Sequence, residues 1–307
     1  MLQRIADRQT PISDAAFGGR GEIRFAVVPD MARVCRLTDE NTAEVLDFLA
    51  VRPVHTVVMT SFIKDNGMES ELNRGRFYGF RSPCGALEGV ALIGHTTLIE
   101  AGTEEALKAF AFAARESETP VSLIMSDDRA AETFWQYYSG GARRPRLVCT
   151  EMLFEIRSPA AVCERVADLR PATAAELLPV AEAHAAVALE ESGVNPMEKD
   201  REGFLRRTLR RIEQERTFVV FENGRLLFKA DIVAETGDVI YLEGIYVAAE
   251  ARGRGIGPKC LSHLSRMLLR RSVRHVCLLS NVEFKNAHRA YLKAGFKSKD
   301  CCTTIFV

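Results

Sequence analysis

Arg252-Gly-Arg-Gly-Ile-Gly257 is the stretch of this chain whose residue types and spacing are best suited to chemistry. Glycines let the backbone turn tightly and bring its N–H groups against a ligand. The preceding residues, Tyr241 to Val247, are the aromatic and aliphatic types of a strand. After the loop, Pro258 suits a first helical turn, and Leu261, Leu264 and Leu268 fall on one helical face. Strand, glycine loop and helix N-terminus together make an anion site, to which Arg252 and Arg254 add positive charge. The expected ligand is phosphorylated. A dinucleotide fingerprint fails, because Pro258 stands at its sixth place. A nucleoside-triphosphate loop fails because Pro258 replaces its second glycine and Cys260 its Ser/Thr.

Carboxylates are the next candidates. Glu243 lies in the strand before the loop, where burial would raise its pKa enough for it to take a proton directly or through water; the alternative is an ion pair with an arginine. Glu190 and Glu191, in the turn Leu189-Glu-Glu-Ser-Gly-Val-Asn-Pro196, are rival proton acceptors, recognition groups for a cation, or solvated loop residues. His263 and His288 fall on helical stretches with no partner at metal-ligand spacing, and no metal is expected. The eight cysteines form no CxxC pair, which suits reduced thiols.

The elements that position these residues recur. From Val34 the pattern reads β-α-α-β-β-β-α-β-α-β to Ile156, and from Asp168 the same order repeats to Val307. Glu222-Asn-Gly224 marks a hairpin in the second copy. Two copies argue for duplication, with domains at 33–157 and 165–307 and a flexible extension over 1–32. The 307 residues, 47% hydrophobic and 27% charged, can bury a substantial core. Forty-one basic residues balance forty-one acidic ones, which leaves no field for nucleic acid or an anionic membrane. The scattered cysteines suit a reducing cytoplasm as the expected location, and no apolar run is long enough for a helix that spans a bilayer. Monomer and homodimer both remain open.

Two motifs in order carry a resemblance. Arg252-Gly-Arg-Gly255-Ile-Gly257 fits [Q/R]-x-x-G-x-[G/A], and Ala287…Tyr291-Leu-Lys-Ala-Gly295-Phe296 fits A-x-x-x-Y-x-x-x-G-F. With one helix and one strand between them, they resemble the acyl-CoA loop and following helix of the GNAT acyltransferases over about 168–307. The resemblance implies an α+β fold of two tandem GNAT-like domains, each a mixed, mostly antiparallel sheet flanked by helices. The first would be degenerate, since Glu100-Ala-Gly-Thr-Glu-Glu stands where the glycine loop belongs and would repel a pyrophosphate. It further implies acetyl-CoA or another short acyl-CoA as co-substrate and transfer to an amine. Arg252, Gly253, Arg254, Gly255, Ile256 and Gly257 would hold the pyrophosphate, and the backbone N–H groups of Ile245, Tyr246 and Val247 the pantetheine and thioester. Tyr291 would be the general acid to the CoA sulfur, and Glu190 and Glu191 would lie between the two helices of the acceptor wall, while the base stays open between Glu243 and these two. The family's asparagine seven residues before the tyrosine is Phe284 here; Asn281 and Asn286 are the nearby amides, and Asn281, at the strand end, is the expected substitute. The alternative function is an acyl-CoA sensor without turnover.

Overall fold

A computed structural model describes residues 29–159, 165–271 and 273–307. Most of the extension expected over 1–32, and Cys163, lie outside these. In the first half, β1 (Val34–Arg36) leads to α1 (Thr42–Leu49) and α2 (Val57–Asn66). Then come β2 (Gly75–Arg81), β3 (Leu87–Gly94), β4 (Thr96–Ala101), α3 (Glu104–Arg115), β5 (Leu123–Asp127), α4 (Asp128–Ser139) and β6 (Leu147–Ile156). The second half repeats the order: β7 (Arg170–Pro171), α5 (Leu177–Ser192), the single turn α6 (Pro196–Lys199), α7 (Arg201–Glu213), β8 (Thr217–Glu222) and β9 (Arg225–Glu235). It ends with β10 (Val239–Val247), α8 (Ile256–Leu269), β11 (His275–Asn281), α9 (Lys285–Lys293) and β12 (Lys297–Phe306).

Local sequence explains the boundaries. Asn223 and Gly224 both take positive φ, 51° and 76°, as a two-residue turn that continues the twist of β8 into β9 requires. Thr173 and Glu176 form a reciprocal capping box ahead of α5. In α8, Cys260, Leu261, Leu264 and Leu268 are buried along one face.

The sequence suggests two sheets; the described residues form one, of twelve strands, in the order β1-β2-β3-β4-β5-β12-β6-β11-β10-β9-β8-β7. The order is unchanged when the first six strands are swapped for the last six. A pseudo-two-fold therefore passes between β12 and β6. Each half keeps five strands on its own side and sends its sixth across: β12 pairs with β5, and β6 pairs with β11. The two crossing strands pair with each other antiparallel. Covalent order changes halves near residues 157–165, but the sheet does not divide there.

Packing records the exchange. Phe154 and Ile156 of β6 belong to the core under α8 and α9, with Leu242, Leu261, Leu264 and Phe296. Ile305 of β12 belongs to the core under α3 and α4, with Phe110, Phe134 and Trp135. Phe154 is 1% and Ile305 0% exposed, so each half buries side chains that the other supplies. At about 1.5–3 kcal/mol for a fully buried large apolar side chain, these are substantial parts of either core.

Candidate functional site

The site forms where β10 and β11 separate. These strands run parallel and pair only from Val239–Leu242 to His275–Leu278. Beyond, β10 turns away at a bulge, where residues 244 and 245 are accommodated between the pairs Glu243–Asp231 and Tyr246–Lys229. Gly244 takes φ +57°; a Cβ there would lie 2.8 Å from the Lys229 Nζ and 3.0 Å from the Asp231 Oδ2. Lys229, fully buried, donates to the Gly244 carbonyl (3.0 Å) and to Asp231 (2.5 Å), which also accepts from the Thr217 hydroxyl (2.8 Å) and from Arg211 (3.2 Å). Burial opposes charge on Asp231, but Lys229 and Arg211 outweigh it and hold the carboxyl below its usual range. A buried ion pair clamps the bulge.

The bulge changes what faces where. Side chains alternate along a strand, and directly paired residues share a face. Tyr241 and Glu243 of β10, Leu279 and Asn281 of β11, and Glu151 and Leu153 of β6 therefore share the face that carries α2 and α7. The sequence places Ile245 and Val247 on that face with Glu243. The inserted residue reverses their parity, and both pack against the opposite core, beneath α8 and α9. Their main chain still faces the opening: Ala248 N–H donates back to Leu227 of β9 at 2.9 Å, so by alternation Val247 and Ile245 turn N–H toward the gap. Tyr246, expected to do the same, turns its N–H toward β9.

The glycine loop closes one end of the gap. Gly253 and Gly255 have φ of +77° and +78°, which side-chain-bearing residues adopt at a cost of about 1–2 kcal/mol. Gly255 is the N-cap of α8; no side chain caps this helix and no acid lies in its first turn, so its leading N–H groups point outward. Gly257 lies under Val247, where a Cβ would come within 3.2 Å of Cγ2. Arg252 Nε donates to the Val247 carbonyl (3.1 Å), which ties the loop to the end of β10, and its guanidinium stays exposed. Arg254 is exposed, and Ile256 is half-buried against the core.

Tyr291 comes to the gap from α9. Its ring is 7% exposed, edge-on to Phe154 at 5.3 Å, and its hydroxyl shares a hydrogen bond with Ser280 of β11. Burial, relieved in part by Ser280 and reinforced by the charge of Glu191, pushes its pKa up to about 12. It is protonated and able to donate. Asn281 is differently employed than the resemblance implies: its side-chain oxygen accepts the Glu283 N–H (2.9 Å) and its amide bonds to Cys149.

On the opposite face three carboxylates converge. Burial raises the pKa of Glu243, opposed first by a hydrogen bond from Tyr241 and then by Arg211. Burial, then the charges of Glu243, Glu151 and Glu190, push Glu191 to about 8. Burial pushes Glu151 to about 7, with the Thr304 hydroxyl opposing and Glu243 adding to it. Glu191 and Glu243 sit deep among protein atoms yet keep their surfaces open, so water in the cleft moderates these shifts. Among the described residues none of the three is in an ion pair. The arginine partner considered for Glu243 is thus absent; Arg211 bonds to Asp231 instead. Glu190 is exposed and adds only charge beside Glu191.

Two contributors escape sequence reasoning. Glu151 belongs to the first half and arrives through the exchanged β6. Lys229 had a visible signal: Leu226-Leu-Phe-Lys-Ala-Asp-Ile232 places two opposite charges at i and i+2, on one face of an otherwise apolar strand.

A parallel pair that splays at a bulge, a capless helix behind a glycine loop, and a buried tyrosine from the next helix form one arrangement, and residues 183–296 match the model of the acetyltransferase (GNAT) family. Residues 183–296 form a GNAT domain. Among curated proteins none matches the sequence. Solved structures share the fold across both halves. A Drosophila protein superposes with a TM-score of 0.66 at 12% identity, over 90% of this chain and 98% of its own. A GCN5-related N-acetyltransferase from Sphaerobacter thermophilus gives 0.57 at 16%, over 91% and 96%. A tandem GNAT protein from the clavulanic acid biosynthesis pathway gives 0.56 at 14%, over 89% and 97%. The fold shared with these structures extends over the first half of this chain, whose strands complete the sheet. Among the described residues no group of three His, Cys, Asp or Glu side chains could hold a metal ion, and no helix is long and apolar enough to cross a membrane.

Proposed function

We propose that the protein transfers an acetyl or other short acyl group from acyl-CoA to an amine, with residues 165–307 supplying the acyl-CoA site and Glu151 of the other half joining the carboxylates on the acceptor side. The observation that carries this reading is the gap between β10 and β11, with inward N–H groups, the open N-terminus of α8 at one end, and proton donors and acceptors on its two faces. The residues fit the co-substrate. The N–H groups of the 252–257 loop and first turn of α8, with Arg252 and Arg254, match a pyrophosphate. Val247 and Ile245 N–H groups match the amide and carbonyl groups of a pantetheine arm.

The amine approaches from the carboxylate face. Its nitrogen attacks the thioester carbonyl, the C–S bond breaks, and the amine's proton passes to the cluster of Glu243, Glu191 and Glu151. Tyr291 stands at the opposite face with a proton for the departing sulfur. Against an ordinary thiol near 8.5, a tyrosine at about 12 gives its proton up uphill by about 5 kcal/mol. The hydroxyl therefore acts first by hydrogen-bonding the developing thiolate. Net transfer becomes favourable when a second proton reaches Tyr291, and Glu191, at about 8, is the closest match to the thiol.

The test is thiol release from acetyl-CoA across a panel of amines. The expected result is amine-dependent release that Tyr291→Phe lowers about 10²-fold or more with unchanged acetyl-CoA affinity. Binding of acetyl-CoA with no release for any amine would favour the sensor reading instead.

A further inference from the structure

A cavity lies on the carboxylate face, where the two halves meet. Its first-half wall is Val57 and Val58 of α2, Leu98 of β4 and Met125 of β5, with Val54 at the approach to α2. Its second wall is Leu153 of the exchanged β6, Tyr241 of β10 and Leu279 of β11. The cavity ends where the carboxylates begin. Tyr241 lines it with its ring and hydrogen-bonds to Glu243 through its hydroxyl. Leu153 stands two residues from Glu151 on the same face, and Cys302, also in the lining, is directly opposite Glu151 across β6 and β12. Leu279 is two residues from Asn281, the direct partner of Glu151 on β11. At the far end the charged groups are already engaged: Arg52 bridges Glu100 at 3.0 Å and Asp127 at 3.1 Å, and His55 lies 3.2 Å from Asp300. The carboxylates at the near end have no such partners.

We propose that this cavity is the pocket for the acceptor, and that the acceptor is a primary amine carrying a compact apolar body. The ammonium group enters among Glu151, Glu191 and Glu243, and the apolar body lies over Tyr241 into the space between the halves. Charge complementarity fixes the direction: carboxylates without a cation take the nitrogen end, while the apolar side chains between the two ends take hydrocarbon or an aromatic ring. Glu151 is then a specificity-determining residue given to the GNAT domain by the other half. This inference rests on the acyl-transfer reading for what happens to the nitrogen, but not for the binding itself.

The experiment is calorimetric titration of the full chain with phenethylamine and methylamine, beside a separate titration with acetyl-CoA. Wild type should bind phenethylamine about tenfold or more tightly than methylamine, as burial of one aromatic body gives. Val54→Trp and Leu279→Phe, which fill the cavity from opposite walls, should each weaken phenethylamine about tenfold and leave methylamine and acetyl-CoA unchanged. Glu151→Gln should weaken both monoamines. Phenethylamine binding no better than methylamine, or phenethylamine indifferent to whichever filling variant melts like wild type, would overturn the pocket while leaving acyl transfer standing. Acetyl-CoA failing to bind while phenethylamine behaves as described would contradict the acyl-transfer reading and leave the pocket standing.

Discussion

The two halves place the same elements around the same kind of opening and fill it oppositely. Between β4 and β5 the pairing ends at Leu98–Met125, and Arg52 bridges the mouth to Glu100 and Asp127. The helix that follows is closed as well: the Thr103 side chain caps α3 at Ala106 N–H (3.2 Å), and Glu104 and Glu105 complement its dipole. Between β10 and β11 the mouth has unpaired carboxylates, and α8 begins at a glycine with no cap and no acid. A fold thus offers a gap and a helix end; ligand binding depends on whether local side chains satisfy those groups or leave them open.

Separating the halves should have the largest effect. Residues 165–307 alone lose β6, which exposes the edges of both β11 and β12 and removes Phe154 from beneath Tyr291. The fragment should be aggregated or unfolded by circular dichroism, and mixing it with residues 29–159 should restore the fold. A fragment that melts cooperatively by itself and binds acetyl-CoA would show that the halves are independent after all.

Removing the clamp at the bulge comes next. Lys229→Ala leaves Asp231 buried without its closest cation and should cost about 3–5 kcal/mol, read as a lowered denaturation midpoint. In the first half, Arg52→Ala opens a partly exposed ion pair at the mouth between β4 and β5. It should cost about 1 kcal/mol or less and leave acetyl-CoA binding unchanged. A large loss of acetyl-CoA affinity in Arg52→Ala would mean that the first half's opening is functional.

The carboxylate cluster predicts a pH dependence. Glu151 at about 7 and Glu191 at about 8 are partly protonated at neutrality, and a protonated carboxyl accepts no proton from the amine. Turnover should therefore rise from pH 6 to 8.5, and Glu191→Gln should remove the upper part of that rise. The stability effect has the opposite sign. These folded-state values lie above the unfolded carboxylate range, so the contribution is complete below pH about 4.3 and lost as pH rises through 7 to 8. A rate that falls over this interval would contradict the assignment.

Much of this was legible because it is local. Leu261, Leu264 and Leu268 mark the buried face of α8, Asn223-Gly224 the hairpin, and the two motifs around Gly255 and Tyr291 the domain. The rest depends on pairings that spacing does not encode. Nothing in Glu151-Met-Leu-Phe154 says that β6 crosses to β11, so its carboxylate and its phenylalanine could not be placed in the site. Alternation puts Ile245 and Val247 beside Glu243 until one extra residue at Gly244 reverses them. Arg52 becomes a plug only because the approach to α2 folds over β4 and β5.

Calorimetric titration with acetyl-CoA, wild type against Gly255→Ala, tests the central claim most directly. Alanine at a φ of +78° should disturb the loop by about 1–2 kcal/mol and weaken binding about tenfold in a protein that melts like wild type. Equal affinity of the two proteins, or no binding by folded wild type at millimolar ligand, would contradict the claim that the opening between β10 and β11 is an acyl-CoA site.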